Sequence, residues 1–262
     1  MKKLYAFFIA ILLLFGCVTN PLTGKSTMAF VSNSSLFPMA FAQYSEFLSE
    51  NSVITNTAES EMVVRVGERI AEAAQKWLAA EGFPNYLNDY RWEYNLVSDN
   101  AVNAWCMPGG KIVVYTGILP VTQTETGLAV VMGHEVSHAL LNHGQQRMSA
   151  NVLQQLGAIT LSIFTDSDLA MAAYGVGSTL LGTLPFSREH ESEADRYGLI
   201  LMAIAGYDPS EAVPFWERMA AMSGGGSIEF LSTHPSSNTR IRQLREWTPE
   251  AKQKAATFGV EF

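Results

Sequence analysis

The chain has 262 residues, of which 48% are hydrophobic and 16% are charged. This composition suits one globular domain with a substantial core and excludes a disordered, highly charged protein. The formal charge of −8 and the lack of a basic run make the chain a poor binder of nucleic acid, so no nucleic-acid partner is expected.

The first 16 residues predict a lipoprotein signal peptide. Two lysines precede an apolar run over residues 4–15. This run is too short to cross a bilayer, which needs about 20 residues, but it suits the core of a signal peptide. The run ends in the segment LFGC, which resembles a bacterial lipobox, the motif whose cysteine, here Cys17, becomes the lipidated first residue. An ordinary secretory signal with a chance cysteine is the alternative.

A lipidated Cys17 would anchor the mature protein in the bacterial cell envelope. Val18 follows it where an aspartate would favour the inner membrane, so the outer membrane facing the periplasm is expected. Residues 17–35 are polar and punctuated by Gly and Pro, and are predicted to form the tether of a single domain over residues 36–262. Cys106 is then the only other cysteine, which excludes a disulfide between two side chains of the chain and favours a packing role for Cys106.

The first elements after the tether are a predicted helix and a small antiparallel sheet. Apolar residues recur at spacings of three and four over residues 60–80, which predicts the helix. Residues 91–97 alternate in polarity and residues 111–116 are rich in β-branched side chains, as in strands. The Pro-Gly-Gly segment at 108–110 predicts a tight turn that pairs residues 104–107 with the strand after it.

From Thr122 onward the chain is predicted to be mainly helical, which gives a mainly α protein of the α+β class. Thr122 and Glu125 have the spacing of a capping box at the start of a helix that Gly144 would close. The apolar residues 151–186 predict a buried helical pair and not a membrane span, because glycines and a proline interrupt their second half. Two further helices are predicted over residues 188–205 and 239–246.

A histidine pair on the predicted helix indicates a metal site. His134 and His138 are four residues apart, so their directions differ by only about 40° and both imidazoles can reach one cation. Glu135 lies about 100° around the helix from His134, where it can take a proton from the attacking water without binding the metal. This H-E-x-x-H pattern predicts one Zn²⁺ per chain. The surrounding residues are apolar, and such a buried group would be costly without a bound ion.

A catalytic zinc needs a third protein ligand. His143 is interpreted as a last-turn residue that points to the opposite side of the helix from His134. The segment EHESEAD, which ends at Asp195, is the better source, because Glu191 borders the apolar face of its predicted helix. His190 lies on that face as well, so spacing alone leaves both residues open.

Other residues of the same segment have expected roles around this ligand. Asp195 lies one turn after Glu191 and is a candidate to accept a hydrogen bond from a ligand histidine, unless it is a surface carboxylate. Glu189 and Glu193 point further from the apolar face and are expected to be solvated.

Together these motifs resemble the zinc endopeptidases that include the CAAX prenyl proteases and HtpX-like membrane proteases, and in particular their soluble periplasmic lipoprotein relatives. The resemblance rests on His134-Glu135-x-x-His138 followed by Glu191-x-x-x-Asp195. It implies that Glu191 is the third ligand and that the fold is gluzincin-like, with the metal-binding helix under an edge strand. Further matching segments are residues 20–24, 103–110 and 234–236.

The resemblance also implies a zinc-dependent endopeptidase with Glu135 as general base. His234 is a candidate to stabilise the tetrahedral intermediate. In the related lipoproteins such a histidine lies near the metal, where it could instead fill the open coordination position and keep the enzyme latent; a loop histidine without a role is the third possibility. Arg240 is expected to orient the loop of His234, unless it is an exposed residue of the last helix.

The expected substrate is an unfolded polypeptide. A strand that contains Asn103 and Ala104 can pair with an extended peptide through its backbone, although it can equally be an ordinary sheet strand. The first hypothesis is therefore quality control of unfolded or misassembled envelope proteins. A zinc-containing holdase that does not cleave its clients, and a hydrolase of non-peptide bonds, are the alternatives. The sequence leaves the oligomeric state open.

Overall fold

The computed structural model describes residues 17–156, 187–222, 228–234 and 238–262, and the backbone alone of residues 157–164. The predicted signal peptide lies outside the described residues, as does most of the helical pair predicted over 151–186.

The protein is mainly helical with two small sheets, which confirms the predicted fold class. The helices are α1 (Asn33–Glu50), α2 (Ala58–Ala80), α3 (Leu119–Thr122), α4 (Glu125–Leu140), α5 (His143–Phe164), α6 (Arg188–Ile204), α7 (Ala212–Met222), α8 (Glu229–Thr233) and α9 (Asn238–Ala256). The strands are β1 (Cys17–Thr19), β2 (Ser26–Met28), β3 (Val53–Ile54), β4 (Glu93–Val97), β5 (Ala104–Met107) and β6 (Lys111–Tyr115). Within the described part of the chain, no helix has both the length and the apolar character that a membrane crossing requires.

The larger sheet is mixed, and the prediction of a purely antiparallel sheet is wrong. Its strand order is β3-β4-β6-β5. The predicted hairpin of β5 and β6 is present, but β4 and β6 run parallel, with Glu93 opposite Lys111 and Val97 opposite Tyr115. The turn at 108–110 determines only the local hairpin, whereas tertiary packing places β6 beside β4 and leaves β5 at the end of the strand order.

Helix α4 begins at Glu125, and the predicted capping box is wrong. Thr124 is the N-cap, and its hydroxyl accepts a hydrogen bond from the backbone N–H of Gly127 at 3.0 Å. Thr122 is instead the last residue of α3. Gln123 separates the two helices with a positive φ of 60°, which breaks the helical path that a box from Thr122 would need.

The end of α4 also differs from the prediction. The helix ends at Leu140, and Asn142 adopts a φ of 59° that redirects the chain into α5. Gly144 lies within α5 and does not close α4. Asparagine is one of the residues other than glycine that tolerates the left-handed conformation, so Asn142 supplies the turn that Gly144 was expected to provide.

Helix α4 lies inside the core, between α2, α6 and β5. All of its residues from Gly127 to Leu140 are buried. It crosses α6 at backbone contact, since a Cβ added at Gly198 would lie 2.9 Å from the backbone nitrogen of His134 and one at Gly133 would lie 2.9 Å from the carbonyl oxygen of Gly198. This close approach brings the acidic start of α6 next to the histidines of α4.

The remaining helices agree in part with the sequence. The predictions for α2 and α6 are confirmed to within about two residues, which is the usual uncertainty at helix ends. Helix α9 is longer than predicted, because it continues past Pro249 to bury Ala251 and Ala255. The sequence analysis does not predict helices α1, α3, α7 and α8. Residues 17–35 contain the β1–β2 hairpin and the start of α1, and Asn20 is buried there, with its Nδ2 donating to the carbonyl of Leu140 at 2.8 Å.

Candidate metal centre

Four buried side chains from three helical elements meet at one point. His134 and His138 come from α4, Glu191 from the first turn of α6, and His234 from the C-cap of α8. One ligand atom from each lies within 4.8 Å of the others. The structure therefore brings together the histidine pair with Glu191 and His234, two residues that are distant from that pair in sequence.

The spacing of the donor atoms fits a tetrahedral zinc ion. The Nε2 atoms of His134 and His138 are 3.1 Å apart. The Glu191 carboxylate lies 3.3 Å from His138 Nε2 and 3.5 Å from His134 Nε2, and His234 Nδ1 lies 3.1 Å from His134 Nε2. Zinc bonds of about 2.0–2.2 Å in a tetrahedron separate neighbouring ligand atoms by roughly 3.3–3.6 Å. Imidazole and carboxylate are also the donors that zinc prefers, so the residues fit this metal.

The carboxylate of Asp195 contacts the ring of His134 on the side away from the cluster. Its Oδ1 lies 2.9 Å from His134 Nδ1, and Arg240 Nη2 donates to the same oxygen at 2.6 Å. The Nδ1–H tautomer of His134 would donate to this carboxylate, because an ionised carboxylate only accepts hydrogen bonds. The lone pair on Nε2 of His134 is then directed into the cluster.

Arg240 is buried between the carboxylates of the site. Its Nη1 lies 3.2 Å from Glu191 Oε2 and donates to the backbone carbonyl of His234 at 3.3 Å. The guanidinium lies 3.4 Å from the ring centroid of Trp216, in α7. Arg240 is thus buried and contacts the loop of His234; that it orients this loop stays a prediction. Trp216 was missed, since an aromatic residue in an unpredicted helix carries no local signal of its partner.

Glu135 lies beside the cluster without joining it. Its side chain is 3% exposed, and Oε1 has no hydrogen-bond partner among the described residues, although it lies 3.5 Å from His234 Nε2. Burial raises the pKa of Glu135. A carboxyl group with a raised pKa and an open acceptor position next to a metal site suits the transfer of protons.

The ligand residues themselves favour a metal-binding protonation state. Burial lowers the pKa of His138 well below its usual value, so its imidazole is neutral. Burial alone would raise the pKa of Glu191, but hydrogen bonds with His138 and His234 and the charge of nearby imidazoles lower it overall. A neutral imidazole and an ionised carboxylate are the forms that bind zinc.

His143 lies behind the site, and the prediction that it points away from the histidine pair is wrong. It is the first residue of α5 and its side chain is fully buried. Its Nδ1 lies 2.8 Å from Nδ1 of His138, and its Nε2 lies 3.1 Å from Glu193 Oε2. The turn at Asn142 takes His143 out of the helical register from which its direction was predicted.

The rest of the acidic segment is divided between the site and the surface. Glu189 is exposed as expected, but the prediction for Glu193 is wrong, since only 17% of its side chain is accessible. His190 lies outside the four-residue cluster; its Nε2 is 3.1 Å from Gln146 Oε1, and its ring stacks on that of His143 at 4.2 Å. The structure thus places Glu191, and not His190, at the histidine pair.

Strand β5 runs beside α4 at the edge of the sheet. The backbone of Asn103 pairs with β6, because Tyr115 N donates to Asn103 O at 3.1 Å. Pairing alternates along an antiparallel strand, so the backbone groups of Ala104 and Cys106 are directed away from β6. The side chain of Asn103 donates to Glu229 at 2.9 Å. Cys106 packs against the core and burial raises the pKa of its thiol, which agrees with a packing role.

Comparison with known proteins gives one family. The family model described as Peptidase family M48 matches residues 63–248. The chain is 39% identical to "Mitochondrial metalloendopeptidase OMA1" of Schizosaccharomyces pombe, over 65% of this chain and 51% of that protein. It is 27% identical to "Metalloprotease YcaL" of Escherichia coli, over 70% of each chain, and 26% identical to a "Putative beta-barrel assembly-enhancing protease" of Vibrio cholerae, over 78% and 42%. The chain spans about half the length of the OMA1 relatives.

Proposed function

The chain belongs to Peptidase family M48, whose members are zinc metallopeptidases, and we propose that it is a lipid-anchored zinc endopeptidase that cleaves unfolded or misassembled proteins of the bacterial envelope. The observation that carries the proposal is the buried cluster of His134, His138 and Glu191 with the carboxyl group of Glu135 beside it.

The catalytic roles follow from this arrangement. Bound zinc supplies a Lewis acid that polarises the scissile carbonyl and lowers the pKa of a water molecule towards about 7. His134, His138 and Glu191 would hold the metal. Glu135, whose pKa is raised by burial, would take the proton from the attacking water and pass it to the leaving amine.

His234 is proposed to regulate access to the metal. Its Nδ1 lies 2.9 Å from Glu191 Oε1 and 3.1 Å from His134 Nε2, at the corner of the cluster that substrate would need. This position supports the alternative in which His234 fills the fourth coordination position and keeps the enzyme latent, over a role in stabilising the tetrahedral intermediate. In a peptidase assay, His234→Ala raises activity in the first case and lowers it in the second.

The proposed substrate is an extended polypeptide that pairs with β5. The backbone groups of Ala104 and Cys106 are directed away from β6, towards the side of β5 on which no strand pairs among the described residues, and β5 lies beside the helix that carries Glu135. Recognition through the backbone favours unfolded chains and gives loose specificity for side chains.

An envelope location is supported by the N-terminal motif and by the name of one relative. Cys17 follows the lipobox-like residues and is exposed in β1. A relative named as a putative β-barrel assembly-enhancing protease is consistent with a role in envelope quality control. The OMA1 relatives are named as mitochondrial, so the proposed membership of the bacterial lipoprotein subgroup is supported by the lipobox-like motif and not by these relatives.

The proposal is tested with zinc-loaded wild type and Glu135→Gln on unfolded casein. We expect the variant to keep its zinc and to lose about 10²–10⁴-fold in kcat/KM, the usual contribution of a general base. Equal cleavage by the two proteins would rule out the proposed zinc endopeptidase activity. Binding of casein without cleavage by either wild type or His234→Ala would support the holdase, because a latent peptidase would be released in the variant. Mass spectrometry of the products shows whether peptide bonds are the ones broken.

A further inference from the structure

His138 has a hydrogen-bond partner at its Nδ1, as His134 has in Asp195. We propose that His143 and Glu193 are positioning residues that hold His138 in the tautomer and orientation required to bind the metal. The inference rests on the zinc site of the proposed function and extends it to two residues outside the ligand set.

The contacts form a continuous chain from the surface to the metal site. Lys25 Nζ lies 2.6 Å from Glu193 Oε1, and Glu193 Oε2 lies 3.1 Å from His143 Nε2. His143 Nδ1 then lies 2.8 Å from His138 Nδ1, on the side of that ring opposite the cluster. The side chains of His143 and His138 are 0% and 3% exposed, so water does not compete for the contact between these two rings.

The carboxylate of Glu193 determines which ring nitrogen carries the proton in His143 and, through it, in His138. A carboxylate paired with Lys25 can only accept, so His143 donates to Glu193 through Nε2–H. A neutral imidazole carries one proton, which leaves Nδ1 of His143 as an acceptor. His138 must therefore donate through Nδ1–H, and the lone pair on its Nε2 is directed towards Glu191 and His134.

The left-handed turn before α5 and the rigidity of helix α6 fix the position of the supporting imidazole. His143 follows the left-handed turn at Asn142, so it begins α5 directly below the last turn of α4. His190 stacks on its ring at a centroid distance of 4.2 Å and an interplanar angle of 19°. Helix α6 carries both Glu191, at the metal site, and Glu193, at the outer end of the hydrogen-bonded series. One rigid helix therefore sets the distance from Glu191 to the histidine pair and the distance from Glu193 to His143.

Substitutions of His143 in the full-length protein separate its contact with His138 from its contact with Glu193. Asparagine places an oxygen where Nδ1 stands but does not reach Glu193, whereas glutamine reaches Glu193 and lacks the inner acceptor. Leucine removes both. We expect His143→Leu and His143→Gln to raise the zinc Kd by about 10–100-fold, as for other residues that support metal ligands, and His143→Asn to raise it much less. The Kd is measured by competition with a chromophoric chelator.

A spectroscopic measurement distinguishes positioning from a general structural role. In the metal-free wild type, ¹⁵N shifts of His138 should report the Nδ1–H tautomer, and in His143→Leu the two tautomers should mix. His190→Asn is the matched control, because it removes the imidazole stacked on His143 and leaves the hydrogen-bonded chain intact; its zinc Kd should stay within about 3-fold of wild type, less than the loss expected for a supporting residue.

The possible failures are distinguishable. Wild-type zinc affinity in His143→Leu, or an equal loss in His143→Asn, would overturn the positioning role while leaving the peptidase intact. A wild type that binds no zinc would overturn the proposed function itself. Circular dichroism of each variant establishes that it is folded, and the tautomer of His138 in His143→Asn provides the readout if His143→Leu does not fold.

Discussion

Arg240 places a buried positive charge between two carboxylates of the site. It is buried and contacts both Asp195 and Glu191, while its other face lies on Trp216. Removing one partner from a buried ionic group leaves the other charges uncompensated, which costs more than an exposed ion pair contributes. We therefore expect Arg240 to stabilise the metal-free protein and to orient Asp195.

We expect Arg240→Met to lower the free energy of unfolding of the metal-free protein by about 3–5 kcal/mol. The loss should be smaller in the zinc-loaded protein, because the ion then neutralises the charge of Glu191. Urea denaturation with and without zinc measures both values. An equal loss in the two states would contradict this account of the charge balance.

At the scale of the elements, the crossing of α4 and α6 determines the geometry of the site. Gly133 and Gly198 let the two backbones touch at the level of His134. Glu191 and Asp195 occupy successive turns of α6 and both face the histidines, one at the cluster and the other at Nδ1 of His134. The distance between the two helices thus controls two contacts of the site at once.

The substitution Gly198→Ala tests this crossing. Glycine to alanine within a helix ordinarily stabilises it by about 1 kcal/mol. Here the new Cβ would lie 2.9 Å from the backbone of His134, so we expect a net destabilisation of about 1–3 kcal/mol and weaker zinc binding. Thermal unfolding and chelator competition provide the two measurements, and a more stable variant with unchanged zinc affinity would show that the helices can separate without cost.

For the whole molecule, the metal would join three segments that are far apart in sequence. The cluster takes ligands from α4, from α6 and from the end of α8, so an ion bound there holds the core helices and the loop of His234 together. A ligand that binds only the folded state stabilises it according to its concentration relative to Kd.

Free zinc at 1,000 times its Kd should stabilise the protein by about 4 kcal/mol, which raises Tm by roughly 10 °C in a chain of this size. Glu191→Ala should lose most of this zinc-dependent shift, since it removes a ligand, whereas His190→Ala should retain it. Differential scanning calorimetry with zinc or with a chelator measures the shift. The reverse result for the two variants would make His190 the third ligand.

The sequence by itself determined the elements and the parts of the site that depend on neighbours along the chain. Periodicity identified α2 and α6, and the spacing of four placed His134 and His138 on one face of a helix, because helical geometry is local. The β5–β6 hairpin followed in the same way from the turn residues between its strands.

Only the tertiary structure decided the contacts between distant segments. The parallel pairing of β4 with β6, the stacking of Arg240 on Trp216 and the approach of Glu193 to His143 each join elements whose relative positions no local pattern encodes. The choice of Glu191 over His190 at the histidine pair is of the same kind, because both residues lie on one apolar face. Packing of that face against α4 fixes the rotation of α6 and hence the carboxylate that reaches the histidines.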